Sequence, residues 1–545
     1  MPSPNRPRHF FGPGQTVAVI GAGISGVCAA AHLIKQGLRV TVLERSNVAG
    51  GVWHYDERIP PYPNKTTPSQ GDYQVSQPGE FAYATPPPEP HDSGSHDGDT
   101  QDGKTSTGIE VRFSPPGPCY VGLKNNVPTY LMASALSAWP EGTETFVSQK
   151  YLEEYIQILA MNHGVDAVTL FRTRVDDIRK APEGTRWQIR SVTLEYGGPG
   201  PRLVERTSQF DLVVVASGHF NTPQTPDIEG LEAWKSAHPH RVTHSKQYRS
   251  PKKHRGQNVL VIGAGVSALD ICRELDGVAN KVYQSVRGGQ FDLPPSLLPG
   301  SVVRVPGVSE FVLHGDALGS RQLEHKEPVP GAVVLKDGQV IDDIHHVIAA
   351  TGYLRSYPFL PQLHSDVTSN AEAKEELVVA SEGNMAHNLH KDIFYINDPT
   401  LAFVGVPYYV ATFALFDFQA QAVARVFAGK SRLPTKEDMR REYAKRAGEK
   451  GLGRGFNSLH AQGQEVAYVQ GLVDWVNSHS TEPGEPPMMP HSEEWKRGFD
   501  ELKAKATALF KSKKLPDGIA KGGTGLSISS GNQGPPMAMR REAQV

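Results

Sequence analysis

Gln15-Thr16-Val17-Ala18-Val19-Ile20-Gly21-Ala22-Gly23-Ile24-Ser25-Gly26 decides the fold, because it occurs twice. It returns as Gln257-Asn258-Val259-Leu260-Val261-Ile262-Gly263-Ala264-Gly265-Val266-Ser267-Ala268. Each copy begins with a β-branched run of the kind that forms a parallel strand buried on both faces. Each then passes through a glycine turn into helical sequence, Val27 to Gln36 in one case and Leu269 to Leu275 in the other. Strand, glycine turn and helix in that order make a dinucleotide-binding unit. The chain therefore reads as α/β with two Rossmann-like units.

The two copies differ where selectivity is set. In the first, Gly21, Gly23 and Gly26 give a tight turn and close backbone approach, so a pyrophosphate can rest on the helix N-terminus beside Ile24 and Ser25. The next strand, Arg39 to Leu43, ends in Glu44-Arg45. A carboxylate there accepts hydrogen bonds from ribose hydroxyls. Asn47-Val48-Ala49-Gly50-Gly51-Val52-Trp53 follows as a second close-approach turn carrying an aromatic ring. In the second copy Ala268 replaces the third glycine, and the following strand ends Ser285-Val286-Arg287 with no carboxylate. An acid would repel a 2′-phosphate, whereas Arg and Ser can bind one. The first site is therefore expected to take FAD and the second NADPH. The plainer readings are a glycine turn without a ligand and a solvated strand-end arginine.

Length and composition bound the rest. The chain has 545 residues, 38% hydrophobic and 21% charged, with a net charge of −2. A large core is within reach, and no basic excess points to nucleic acid. Cys28, Cys119 and Cys272 are far apart with no CxxC pair, so neither a disulfide framework nor a structural zinc site is expected. The N-terminus lacks an apolar signal core, and no run of about 20 apolar residues exists, Leu401 to Phe416 being too short. A cytoplasmic protein without an integral membrane span is expected.

Two more strand-and-turn units, Asp211 to His219 and Val347 to Tyr353, bracket the second copy. They imply one domain interrupted by another. Residues 1–221 and 346–475 make the discontinuous FAD domain, 222–345 the inserted NADPH domain and 476–520 a helical extension. Residues 86–108, which hold no bulky apolar residue, and the Gly/Ser/Pro-rich tail 521–545 read as disorder. His91 and His96 in the first of these read as solvated rather than as metal ligands. In the extension, Phe499, Leu502, Ala506, Leu509 and Phe510 recur at helical spacing beside several lysines. Docking of that stripe onto its own domain is favoured over a membrane contact.

With these motifs in order, the chain resembles the flavin-containing monooxygenase family, the class B, single-component FAD/NADPH enzymes, in its soluble fungal or microbial form. The resemblance spans about residues 14 to 430. The family's Gly-Gly-x-Trp turn matches Gly50 to Trp53, and its Asn-x-Pro segment matches Asn126-Val127-Pro128, after Asn125. Its identifying stretch aligns on His244 and Tyr248, although His238-Pro239-His240 replaces the usual Phe-x-Gly half. Its late Ala-Thr-Gly-Tyr motif is Ala350-Thr351-Gly352-Tyr353. Its closing pattern fits Leu401 to Gly405 and the helix with Gln419 and Gln421. The match of His244 also accounts for His238, His240 and His244 better than a metal site does.

The resemblance implies that NADPH reduces FAD, that reduced flavin and O2 give a C4a-hydroperoxide, and that oxygen passes to a nitrogen or sulfur of a small molecule. Asn126 is the candidate catalytic residue, hydrogen-bonding at the flavin; its plainer role is a turn asparagine before Val127-Pro128. No metal is required, and a homo-oligomer is compatible with the sequence. Three alternatives stand beside this. An NADPH-dependent flavin reductase or oxidase is one, and its disulfide reductase form would need two thiols near the flavin. A Baeyer–Villiger oxygenase typically ends the identifying stretch in Trp, where this chain has Tyr248. A non-catalytic flavin-binding protein would have little use for two nucleotide sites.

Overall fold

The computed structural model describes residues 11–62, 108–197, 200–289, 291–314 and 323–511. The tail 521–545, most of the 86–108 insertion, and His91 and His96 lie outside these residues.

The two sequence repeats become the central strands of two separate sheets. In the outer sheet, Thr16–Ile20 lies between Arg39–Leu43 and Leu212–Val215, parallel to both. The full order runs Leu389–His390, Phe394–Tyr395, Leu401–Phe403, Leu212–Val215, Thr16–Ile20, Arg39–Leu43, Thr169–Leu170. In the inner sheet, Asn258–Ile262 lies between Lys281–Val286 and His346–Ala349, again parallel to both. Val303–Pro306 and Val242–His244 complete its edges. Val17, Val19, Val259 and Val261 are fully buried, as a strand covered on both faces requires.

The inserted-domain topology follows from the pairings, with two boundaries moved. His346–Ala349 pairs with Val242–His244 as well as with Asn258–Ile262, so it belongs to the inner sheet. The chain returns to the outer domain after Ala349, not at 345/346. The two crossings touch: Thr222–Pro223 pairs antiparallel with Tyr353–Leu354 as a short ribbon between the domains. At the other end, the helix Gln464–Ser478 runs through the 475/476 division, so the extension begins beyond it.

An antiparallel meander, Thr173–Lys180, Trp187–Gly197 and Gly200–Phe210, is added to the outer domain without a counterpart in the sequence reading. Leu401 to Phe416 resolves into the strand Leu401–Phe403 and the start of the helix Thr412–Phe427, which packs on Ile24–Lys35 in the main core. Among the described residues no helix is long and apolar enough to cross a membrane. The extension forms the helix Glu493–Lys511. Its Phe499 is buried against Leu131 and Ala411, and the Trp495 indole donates to the Leu131 carbonyl at 3.2 Å.

Candidate active site

Both glycine turns open into a single cleft of about 1460 Å³. A pocket for one drug-sized ligand spans about 300–1,000 Å³, so the cleft has room for more than one such molecule. It runs between the domains at the C-terminal ends of the central strands, where α/β folds bind ligands.

The first turn is built from close backbone contacts. Gly21 has φ +105°, and a Cβ there would lie 2.8 Å from the Ala216 carbonyl oxygen. A Cβ on Gly26 would lie 1.8 Å from the Gly21 carbonyl oxygen, so Gly26 is a packing glycine behind the wall rather than part of it. Gly23 and Gly51 face each other: a Cβ on Gly51, itself at φ +57°, would lie 2.8 Å from the Gly23 Cα. This mutual approach joins the first turn to the Gly50–Trp53 turn. Gly21, Gly23, Ile24, Ser25, Gly51, Val52 and Trp53 all line the cleft.

Glu44 and Arg45 line it too. The Glu44 carboxylate accepts from the Ala22 amide at 2.6 Å and the Ser46 amide at 2.7 Å, which fixes its place beside the first turn. Arg45 reaches Asn221 across the wall at 3.4 Å.

The second turn is similar but more open. Gly263 has φ +125°, and a Cβ there would lie 2.3 Å from the Ala350 carbonyl oxygen. A Cβ on Gly265 would meet nothing within 4 Å: its open side is the cleft. Gly263, Gly265, Val266 and Ser267 line the wall, whereas Ala268 is fully buried behind it. Arg287 and Ser285 reach the wall at the end of the adjacent strand. The Ser285 hydroxyl donates to the Pro306 carbonyl at 3.0 Å. Arg287 is exposed and forms no ion pair among the described residues.

Between the two seats lies the segment Tyr120 to Asn126. Tyr120 donates to Asp270 of the inner domain at 2.5 Å. Asn126 is exposed on the wall, and its amide has no hydrogen-bond partner among the described residues. Its neighbour Asn125 points away: buried, it donates to the Val127 and Thr145 carbonyls and accepts from the Val147 amide at 2.6 Å. Thr351 and Gly352 line the wall beside the interdomain ribbon.

His244 and Tyr248 are not on the wall. His244 is fully buried and lies edge-on to Tyr353, which does line the cleft. Burial, then the Lys246 charge, holds it at about 3, so the ring is neutral. Tyr248 donates to Glu274 at 2.7 Å and packs against Tyr120 in the inner core. Both stand one layer behind the cleft and shape it through their neighbours.

The structure adds residues that the sequence reading did not single out. Asp270, only 4% exposed, lines the cleft beside the second turn, and burial pushes its carboxyl up to about 7. Tyr408, Tyr409, His219 and Arg355 line the outer domain's part of the wall. The three cysteines are buried and free, and burial raises the Cys119 and Cys272 thiols to about 12. No thiol pair is available for exchange. Among the described residues no cluster of three or more His, Cys, Asp or Glu side chains is arranged to hold a metal ion.

Comparison with known proteins points to the flavin-binding monooxygenases. The flavin-binding monooxygenase-like family matches residues 120–297 and 320–485, and an NAD(P)-binding Rossmann-like domain matches 19–70. The chain is 40% identical over 482 residues to the flavin-containing monooxygenase ustF2 of Aspergillus flavus, covering 85% of this chain and 92% of that one. It is 33% identical to ustF1 of the same organism, covering 92% of each chain. Among solved structures, S-allyl-L-cysteine S-oxygenase from Allium sativum aligns with a TM-score of 0.63 at 22% identity, over 92% of this chain and 95% of that one.

Proposed function

The chain belongs to the flavin-binding monooxygenase-like family, and from that premise we propose that it uses FAD, NADPH and O2 to oxygenate a nucleophilic nitrogen or sulfur of a small molecule. The observation that carries the reading is the shared cleft, into which two glycine turns open from two domains. Both seats fit a dinucleotide. Gly263 leaves no room for a side chain and Gly265 presents bare backbone to the cleft, as close approach of a diphosphate requires.

The bound flavin supplies oxygen activation, with electrons from NADPH. The protein's part is binding, orientation and exclusion of water. Backbone amides at Gly23 to Ser25 and Gly265 to Ser267, at two helix N-termini, would hold the two diphosphates. Glu44 would take a ribose and Arg287 a 2′-phosphate, and both line the cleft. Asn126 offers an idle amide between the seats, able to donate to one group and accept from another. Trp53, edge-on to Phe413, lines the wall beside the first turn.

Nitrogen or sulfur is preferred over ketone insertion because Tyr248 closes the identifying stretch. That side chain is itself a core residue, so the preference rests on resemblance. The deciding experiment measures NADPH oxidation by the purified yellow protein with an amine, a thioether and a ketone, and weighs each product. A gain of one oxygen on nitrogen or sulfur is the expected result. Ester or lactone formation without heteroatom oxidation would replace the reading with Baeyer–Villiger chemistry.

A further inference from the structure

Three polar side chains on the cleft wall each keep one buried polar atom unpaired. Arg355 is 6% exposed. It donates from Nη2 to the Val406 carbonyl at 3.0 Å and from Nη1 to the Tyr357 hydroxyl at 3.4 Å. Its Nε is buried without a partner, and no carboxylate pairs with it among the described residues. His219 Nδ1 and the Tyr408 hydroxyl are likewise buried without a close hydrogen bond, while His219 engages the Gly405 backbone and the Arg454 guanidinium approaches Tyr408. The three come from separate segments yet stand together. The His219 and Tyr408 rings are 6.5 Å apart, and the Arg355 charge acts on both. All three line the cleft.

Burying a guanidinium without an anion is strongly unfavourable, and each buried polar atom left unpaired adds to the cost. Native structures keep such an arrangement where a ligand completes it. Burial, then the Arg355 charge, hold His219 at about 3, so it is a neutral ring and Arg355 is the one cation of the three. The free Nε edge is one side of the fork with which a guanidinium grips two oxygens of a carboxylate or phosphoryl group. The neighbouring backbone is also strained, with Tyr409 at φ +61°, as is common where side chains are held for a ligand.

We infer that Arg355, His219 and Tyr408 form a seat for an oxyanion, the carboxylate or phosphoryl group of a molecule bound in the cleft. The seat lies at the C-terminal ends of Leu212–Val215 and Leu401–Phe403. In sheet order it is on the opposite side of the first glycine turn from Glu44. A ribose at Glu44 therefore does not fill it. Two sources of the oxyanion remain: a carboxylate on the substrate, or a phosphate of one dinucleotide. The first deepens the monooxygenase reading and rests on it; the second does not.

The test compares wild-type and Arg355→Gln holoenzyme in three binding measurements. These are the dissociation constant of FAD, that of NADP⁺, and that of (methylthio)acetate against (methylthio)acetamide, the last two followed by the flavin spectrum. None requires turnover, so failure of the oxygenation reading leaves them readable. One constant should weaken at least tenfold while the others move less than threefold. Loss confined to (methylthio)acetate assigns a substrate carboxylate; loss of FAD or NADP⁺ assigns a dinucleotide phosphate. Tyr408→Phe, which removes one oxygen, should weaken the same ligand by a smaller factor and decides the matter if Arg355→Gln does not fold. All constants within threefold of wild type in the folded variants would overturn the seat.

Discussion

Gly265→Ala separates a ligand-binding glycine from a structural one. In the first turn a methyl on Gly26 would strike the Gly21 carbonyl, so loss of FAD there would not distinguish a blocked site from a broken fold. Gly265 has no such ambiguity. Its φ of −81° suits any residue, and an added Cβ meets no protein atom within 4 Å. It is the N-cap of Val266–Leu275, where alanine is worse than glycine by roughly 0.5–1 kcal/mol. Restricting the unfolded chain returns about 0.4–1 kcal/mol. The two nearly cancel, so the melting temperature should move by no more than a few degrees. The methyl instead projects into the space that the diphosphate backbone approach needs. Overpacking a well-fitted contact costs about 1–3 kcal/mol, which is roughly a five- to hundred-and-fifty-fold loss of affinity. Steady-state KM for NADPH and direct titration with NADP⁺ should both rise by a factor in that range, with flavin content unchanged. An unchanged KM in a stable, yellow Gly265→Ala protein would refute the placement of NADPH on this turn.

Arg287→Ala should raise the KM for NADPH by about ten- to a hundredfold, the worth of a charge-assisted contact, and leave that for NADH unchanged; equal losses would assign Arg287 to the fold. Asn126→Ala should keep its FAD but uncouple NADPH consumption from product, releasing hydrogen peroxide, and stoichiometric product would remove Asn126 from the reaction. Stability should fall at both ends of the pH range. Burial holds His219, His244, His254 and His491 at about 3, below the 6.5 of a free imidazole. The unfolded chain is therefore protonated first, and their stabilisation, full above pH 6.5, is lost as pH falls from there towards 3. Asp270 and Glu465, raised by burial to about 7, act the other way. Their contribution is full below the ordinary carboxyl values of 3.8 and 4.5 and is lost as pH rises through 7. Melting temperature against pH should show both limbs, and Asp270→Asn should flatten the alkaline one; an unaltered limb would remove Asp270 as its source.

The strands and turns of both dinucleotide seats were legible because buried parallel strands and close-approach glycines leave little choice of residue. The same property hid a boundary. Val347-Ile348-Ala349 reads as a doubly buried strand whichever sheet it joins, and only its pairing with Asn258–Ile262 assigns it to the inner one. The meander from Thr173 to Phe210 alternates too irregularly to stand out, since Gly200–Phe210 is largely exposed on both faces. Motif matching carried Asn126 to the wall and Asn125 behind it without distinguishing the two. His219, Arg355 and Tyr408 left no trace in the sequence, because their relation exists only after three distant segments meet.

The insertion of one domain into the other also bears on how the chain is made. The outer sheet places Leu401–Phe403 directly beside Leu212–Val215, with the whole inner domain between them in sequence. During synthesis at about 5–20 residues per second, the half-built outer sheet must wait on the order of ten seconds or more for its missing strand. Until then Leu212–Val215 has one bare edge, and its Leu212 and Val214 face lacks the helix Thr412–Phe427. The inner domain is contiguous, its sheet complete once His346–Ala349 has emerged, and can finish first. The nascent chain would thus hold a complete NADPH-binding unit beside an FAD-binding unit still open, which makes the outer sheet the part exposed to chaperones and to aggregation.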